Sequence, residues 1–218
     1  MSVRLAVFDC DGTLADGQAA VCAAMARAFN AAGLPAPDRA AVRRSVGLSL
    51  PQAIARLAPA ASAEARAIAL DTYKSAFRQA RVDGSLHEPL YDGIAGLLRG
   101  LAQRGWVLGV ATGKSRRGLD ACLTTHTIAD LFVTLQTADH HPSKPHPAML
   151  EQAMAEAGAT PSGTVMIGDT AFDMAMARSA GARALGVAWG YHEPAELLAA
   201  GAEAVASDPA ELALLLDG

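Results

Sequence analysis

Cysteine is scarce in this chain. Its three residues, Cys10, Cys22 and Cys122, cannot build a disulfide framework and show no paired metal-ligand spacing, which predicts a cytoplasmic protein. Long apolar runs are missing as well: none approaches the roughly 20 residues a membrane-spanning helix needs. An excess of basic charge is also lacking. The formal net charge is −4, which argues against the basic footprint of a nucleic-acid binder. It leaves room for a small anionic substrate, because a bound cation and a few local basic groups can reverse the field around a site. The first residues, MSVRLAVFDCDG, carry one Arg and a short apolar stretch that runs straight into acidic residues. A secretory signal needs a longer apolar region and a small-residue cleavage site, so this stretch is predicted to be a strand.

What is present is alanine-rich. Apolar residues make up 51% of 218, a composition that suits packed helices, in a chain long enough for one large domain or two small ones. Val3 to Phe8 reads as a buried strand that ends in a polar turn. Gln18 to Ala32 reads as a helix closed by Gly33 and followed by Pro35. Three further helices are predicted before the next strand. Asp38 caps one reaching Val46, Ser49 caps a second with Pro51 in its first turn, and Ser62 opens a third reaching about Ala80. Beyond Leu86 strands and helices alternate. The strands are Val107–Ala111, Phe132–Leu135, Thr164–Ile167 and Arg183–Val187. The helices are Asp92–Arg104, Ser115–Thr125, Pro147–Ala157 and Ala171–Ala180, and Asp208, Pro209 and Glu211 resemble one more capped start. Alternation of this kind implies a parallel sheet covered on both faces. The fold expected is α/β, a Rossmann-like core from residues 1–16 and 87–218 with an all-helical cap domain, 17–86, inserted after the first strand.

Chemistry concentrates at the predicted strand ends. In Asp9-Cys10-Asp11-Gly12-Thr13 the two aspartates, two apart, point together beyond the strand's carboxyl end, while Cys10 points into the core. Paired carboxylates repel, so they call for a cation or a shared proton. Gly168-Asp169-Thr170-Ala171-Phe172-Asp173 supplies a second acidic cluster. Together they make an oxygen-rich site of the kind magnesium favours; a plainer reading makes Asp169 and Asp173 helix-start acids. Thr112, in Val110-Ala111-Thr112-Gly113-Lys114-Ser115, offers a hydroxyl at a strand-to-helix turn with free N–H groups, or merely marks a turn capped by Ser115. Lys144, between Ser143 and Pro145, sits in a proline-restricted loop, where a solitary lysine is usually solvated.

The order Asp9-x-Asp11-Gly-Thr, Thr112, Lys144-Pro145, Gly168-Asp169-x-x-x-Asp173 resembles the four motifs of the haloacid dehalogenase-like hydrolases. It covers essentially the whole chain, the cap position included. The resemblance implies a magnesium-dependent phosphate monoester hydrolase. Asp9 would be the nucleophile that forms an aspartyl-phosphate, and Asp11 the acid and base. Thr112 and Lys144 would stabilise the phosphoryl oxygens. Magnesium would be held by Asp9, the Asp11 carbonyl and Asp169, with Asp173 anchoring Lys144 or a metal-bound water. Asp11 speaks for phosphate chemistry over carbon–halogen chemistry, since the true dehalogenases lack this residue.

The stretch Arg43-Arg44-Ser45-Val46-Gly47-Leu48-Ser49 resembles the substrate loop of phosphoglycolate phosphatase-like members. Arg43 or Arg44 would bind a carboxylate or second phosphate on the leaving group, or else complement the dipole of their own helix. Gly113 stands where many such members have asparagine, and it is taken as a substrate contact with Thr112 and Lys144. Lys74 reads as a solvated helix residue, and the histidines near Lys144 as solvated loop residues. The partner expected is a small phosphorylated metabolite, without nucleic acid or membrane, acted on by a monomer or weak homodimer. A β-phosphoglucomutase-like mutase, using the same core residues, and a non-catalytic binding relative are the alternatives.

Overall fold

The computed structural model describes residues 3–217. Its first strand is β1, Leu5–Phe8, with all four residues buried. Four helices follow before the chain returns to the sheet: α1 (Gln18–Ala31), α2 (Arg39–Arg43), α3 (Leu50–Leu57) and α4 (Ala63–Val82). Then come α5 (Ile94–Gln103), β2 (Val107–Thr112), α6 (Arg116–Thr125), β3 (Phe132–Thr137), α7 (Ala148–Ala157) and β4 (Thr164–Gly168). The chain closes with α8 (Ala171–Ser179), β5 (Arg183–Val187), α9 (Pro194–Ala200), β6 (Ala204–Ala206) and α10 (Pro209–Asp217). Among the described residues no helix is long and apolar enough to cross a membrane.

The strands form one six-stranded sheet, ordered β3-β2-β1-β4-β5-β6, with every pairing parallel. Residues along each strand alternate between two cores. Ala6, Phe8, Val110 and Ile167 face the helices α5, α6 and α10. Leu5, Val7 and Met166 face α7, α8 and α9. The sheet is thus Rossmann-like, with helices on both faces as expected. From β1 the chain winds outward to β3, then returns to place β4 on the other side of β1. That reversal opens a crevice beyond the carboxyl ends of β1 and β4, the place where open α/β sheets bind ligands.

The inserted helices α1 to α4 close on a third cluster, with Met25, Phe29, Val42 and Ile54 at its centre. Three capping expectations hold at the atomic level. Asp38 accepts a hydrogen bond from the Ala41 N–H, Ser62 from that of Ala65 and Ser115 from that of Gly118. One expectation needs correction, and two elements are new. The helix capped by Asp38 ends at Arg43, not Val46, because Ser45 turns its hydroxyl back onto the Val42 carbonyl (2.7 Å) and the chain leaves to reach the sheet. The helix α9 and strand β6 have no counterpart in the sequence reading; Ala204–Ala206 is too short for a period to register.

Candidate active site

Three adjacent strands deliver the core of the site. Asp9 follows β1 and its N–H bonds the Ile167 carbonyl of β4 at 2.9 Å. Thr112 ends β2, and Asp169 follows β4. Asp9, Lys144, Asp169 and Asp173 are fully buried and Thr112 nearly so. The Lys144 ammonium lies 3.0 Å from Asp9 Oδ1 and 2.6 Å from Asp173 Oδ1. Asp173 Oδ2 accepts from the Thr170 N–H (3.0 Å) and hydroxyl (2.7 Å), so this residue both anchors Lys144 and caps α8. Asp169 accepts from the Thr13 hydroxyl (2.9 Å) and the Tyr191 N–H (2.9 Å).

One oxygen of the cluster has no partner. Asp9 Oδ2 is buried without a hydrogen bond, although its sister Oδ1 accepts from the Cys10 N–H at 2.7 Å. Carboxylate oxygens of Asp9, Asp169 and Asp173 all lie within 4.8 Å of one another. Three buried carboxylates then face one ammonium, and an unmatched buried charge is costly. Burial pushes the Asp9 carboxyl up to about 7, with Lys144 pulling it down. Burial and the Asp9 and Asp173 charges push Asp169 well above its ordinary value. Burial works against the Lys144 ammonium, but Asp173 and Asp9 outweigh it and raise its pKa. Oxygen donors with a deficit of positive charge fit a divalent cation. The turn leaves space for this packing only because residue 12 is glycine. Its φ is +89° and a Cβ there would stand 2.1 Å from Asp169 Oδ2, so both the conformation and the contact exclude a side chain.

Asp11 is placed differently from the other three. Its Oδ1 accepts from the Lys114 ammonium at 2.8 Å, and the same ammonium lies 2.7 Å from Glu88 Oε1. Glu88 belongs to the segment that returns from the inserted helices. Asp11 therefore sits at the rim, outside the three-aspartate cluster. Neither Lys114 nor Glu88 has a role in the sequence reading. Lys114 stands inside the quoted Thr112 motif, yet nothing local marks its partners, which lie 103 and 26 residues away. Thr13 and Tyr191 likewise have no role in the sequence reading. Thr13 lies in the first motif, whereas Tyr191 acts through its backbone and leaves no side-chain signal.

A cavity of about 530 Å³ opens from Asp9, Asp11 and Thr112 toward the inserted helices. Gly47, Leu48 and Ser49 close one side, and the Ser49 N–H bonds Ser143 Oγ at 2.7 Å. Gly113 faces this loop. A Cβ on it would stand 2.5 Å from the Leu48 carbonyl oxygen and 2.7 Å from that of Gly47. Asparagine is therefore excluded here by backbone contact, and Gly113 lines the cavity without a side chain. Arg43 and Arg44 are not in the lining. Arg44 is paired with Glu196 of α9, and Arg43 stacks 6.0 Å above the Tyr191 ring. Lys74, in contrast, lines the cavity while staying exposed on α4, as the sequence reading has it. Its helix α4 packs on α1 and α3. The chain has three lysines, Lys74, Lys114 and Lys144, and the fold brings all of them to this site. His141 and His146, the loop histidines near Lys144, instead bond Gln136 Oε1 and the Ala148 N–H.

Known proteins resemble the chain over nearly its whole length. A family model described as "Haloacid dehalogenase-like hydrolase" matches residues 6–187. A protein of Dickeya dadantii named "Probable phosphatase IndB" is 36% identical over 202 residues, covering 90% of this chain and 86% of the relative. A phosphoglycolate phosphatase of Vibrio vulnificus is 30% identical over 218 residues, covering 96% and 94%. Among solved structures, a haloacid dehalogenase-like family hydrolase from Streptococcus pneumoniae superposes with a TM-score of 0.85 at 27% identity, covering 98% of each chain.

Proposed function

Because the chain belongs to the haloacid dehalogenase-like hydrolases, we propose that it is a magnesium-dependent phosphate monoester hydrolase working through an aspartyl-phosphate on Asp9. Its substrate is a small phosphorylated metabolite, met in the cytoplasm by a monomer or weak homodimer. The observation that carries this reading is the free, buried Asp9 Oδ2, held on a strand end at the floor of the cavity while Lys144 fixes Oδ1. A nucleophile needs one unengaged oxygen in a rigid frame.

In this mechanism substrate displaces Lys114 from Asp11, which takes a proton from solvent; Asp9 attacks phosphorus in line and the leaving oxygen departs toward the rim, where Asp11 passes that proton to it. Asp11 then takes a proton from the water that cleaves the acyl-phosphate. Lys114, itself anchored by Glu88, holds the Asp11 side chain at that rim until substrate arrives, and both act as positioning residues. The Thr112 hydroxyl and the Lys144 ammonium stabilise the equatorial phosphoryl oxygens. Positioning and charge stabilisation of this kind are most of what phosphoryl transfer requires. Asp9, the Asp11 carbonyl and Asp169 would hold magnesium, with Asp173 as Lys144's anchor, and the ion would supply positive charge against carboxylate–phosphate repulsion. In this reading residues 17–86 are the cap, joined to the core by the close approach of Leu48 to Gly113 and by the Arg44–Glu196 pair.

The test is phosphate release, with magnesium, from phosphoglycolate, sugar phosphates, nucleotides and pyrophosphate, comparing the intact protein with Asp9→Asn. Release by the intact protein alone is expected. Substantial release by the variant refutes the nucleophile, and conversion of a sugar phosphate without phosphate release makes the protein a mutase instead.

A further inference from the structure

The cavity is too cationic, and too large, for phosphate recognition alone. Lys74, Arg78 and Arg81 of α4 all line it. Spaced four and three apart, they share one helix face, where like charges repel and weaken the helix unless an anion offsets them. Arg117 of α6 lines the same cavity. Among the described residues none of these four meets a carboxylate within ion-pairing distance, whereas Lys114 and Lys144 are both paired. The one further carboxylate in the lining, Asp139, accepts from the Arg116 N–H at 2.8 Å. Four free cations thus gather in one concavity of a chain whose net charge is −4. Between them and Asp9 the walls are apolar, with Tyr73, Phe77, Met25, Val21 and Leu50. A volume of about 530 Å³ exceeds what a phosphoryl group with a two-carbon leaving group fills.

We propose that Lys74, Arg78 and Arg81, with Arg117, bind a second anionic group on the leaving portion of the substrate. The preferred ester then carries a carboxylate or a second phosphate on a body of about sugar size that packs against Tyr73 and Phe77. This inference rests on the hydrolase reading above and moves the second-anion contact from Arg43 and Arg44 to α4 and α6.

Three esters with one carbon skeleton test it: glucose 6-phosphate, 6-phosphogluconate and glucose 1,6-bisphosphate. kcat/KM is measured on each for the intact protein and for Lys74→Gln with Arg78→Gln. Both positions are exposed and glutamine keeps helix propensity, so the fold tolerates the change. The intact protein prefers an anion-bearing ester by about tenfold or more, the size of effect that charge pairing commonly yields. The better of the two names the anion. The variant loses most of that preference, and raising salt from 0.05 to 0.5 M, a screening range chosen from the Debye length of about 10 Å at 0.1 M, erodes it in the intact protein. Equal kcat/KM on all three esters, or an equal loss on all three in the variant, overturns the inference. Calorimetry of the same compounds on Asp9→Asn with magnesium reads binding without turnover. Absence of turnover would sink the hydrolase reading, while the ratio of binding constants still decides the second-anion site.

Discussion

Replacing Lys144 by methionine tests how the buried cluster is held together. The ammonium is fully buried and touches Asp9 at 3.0 Å and Asp173 at 2.6 Å. Methionine fills similar volume but leaves the buried Asp9, Asp169 and Asp173 facing one another without a balancing cation. Removing one partner of a buried ion pair costs about 3–5 kcal/mol, a large part of a total stability of about 5–15 kcal/mol. With a urea slope of about 2–3 kcal/mol per molar, the unfolding midpoint falls by about 1–2.5 M. The assay is urea unfolding without metal, followed by circular dichroism, for the intact protein, Lys144→Met, Asp173→Asn and the double variant. The two single changes are expected to be strongly non-additive, because each removes the same contact. Lys74→Met on the exposed face of α4 is the comparator, expected within about 0.5 kcal/mol of the intact protein. A midpoint for Lys144→Met within about 0.3 M of the intact protein's, with additive single effects, refutes the idea that this ammonium balances the cluster.

Removing divalent metal with a chelator should stop turnover and magnesium should restore it. Magnesium should also raise the thermal midpoint, since it binds the folded cluster and not the unfolded chain; indifference of both readouts removes the metal from the site. Gly113→Ala puts a Cβ 2.5 Å from the Leu48 carbonyl oxygen. Backbone cannot rotate away as a side chain can, so a loss of about 1–3 kcal/mol is expected together with a lower kcat/KM. An unchanged urea midpoint would mean that the loop seats elsewhere. Glu156 is held below its ordinary pKa of 4.5 by hydrogen bonds from Thr134, Gln152 and Gln136. For a depressed carboxylate, the stabilisation is complete above the unfolded value and is lost as pH falls through the folded one. Between pH 5 and 3, a window set around that ordinary carboxylate range, urea midpoints of the intact protein should fall more steeply than those of Glu156→Gln. Parallel curves would show that these bonds add nothing.

Much of this molecule is legible along the chain because its determinants are short-ranged. Strand runs such as Leu5–Phe8 and Thr164–Gly168 announce themselves by continuous apolarity, and Asp38, Ser62 and Ser115 open helices through bonds spanning three residues. The ordered motifs place Asp9, Thr112, Lys144 and Asp169 at strand ends or in loops, and the parallel sheet brings them together without further instruction. Local signals fail where a residue's role depends on a distant partner. Arg44 and Glu196 are separated by 152 positions, and Lys114 and Asp11 by 103. No periodicity or cap encodes such a meeting.

By itself, then, the sequence determines the α/β alternation, the helical insertion and the residue types assembled at the strand ends. Only tertiary structure decides which aspartate oxygen is left free, why residue 113 is a glycine and which cations face the cavity. The physical reason is that backbone propensity and capping act over three or four residues. Burial, charge pairing and backbone contact are fixed only when α4, the loop at Leu48 and the sheet pack into one space.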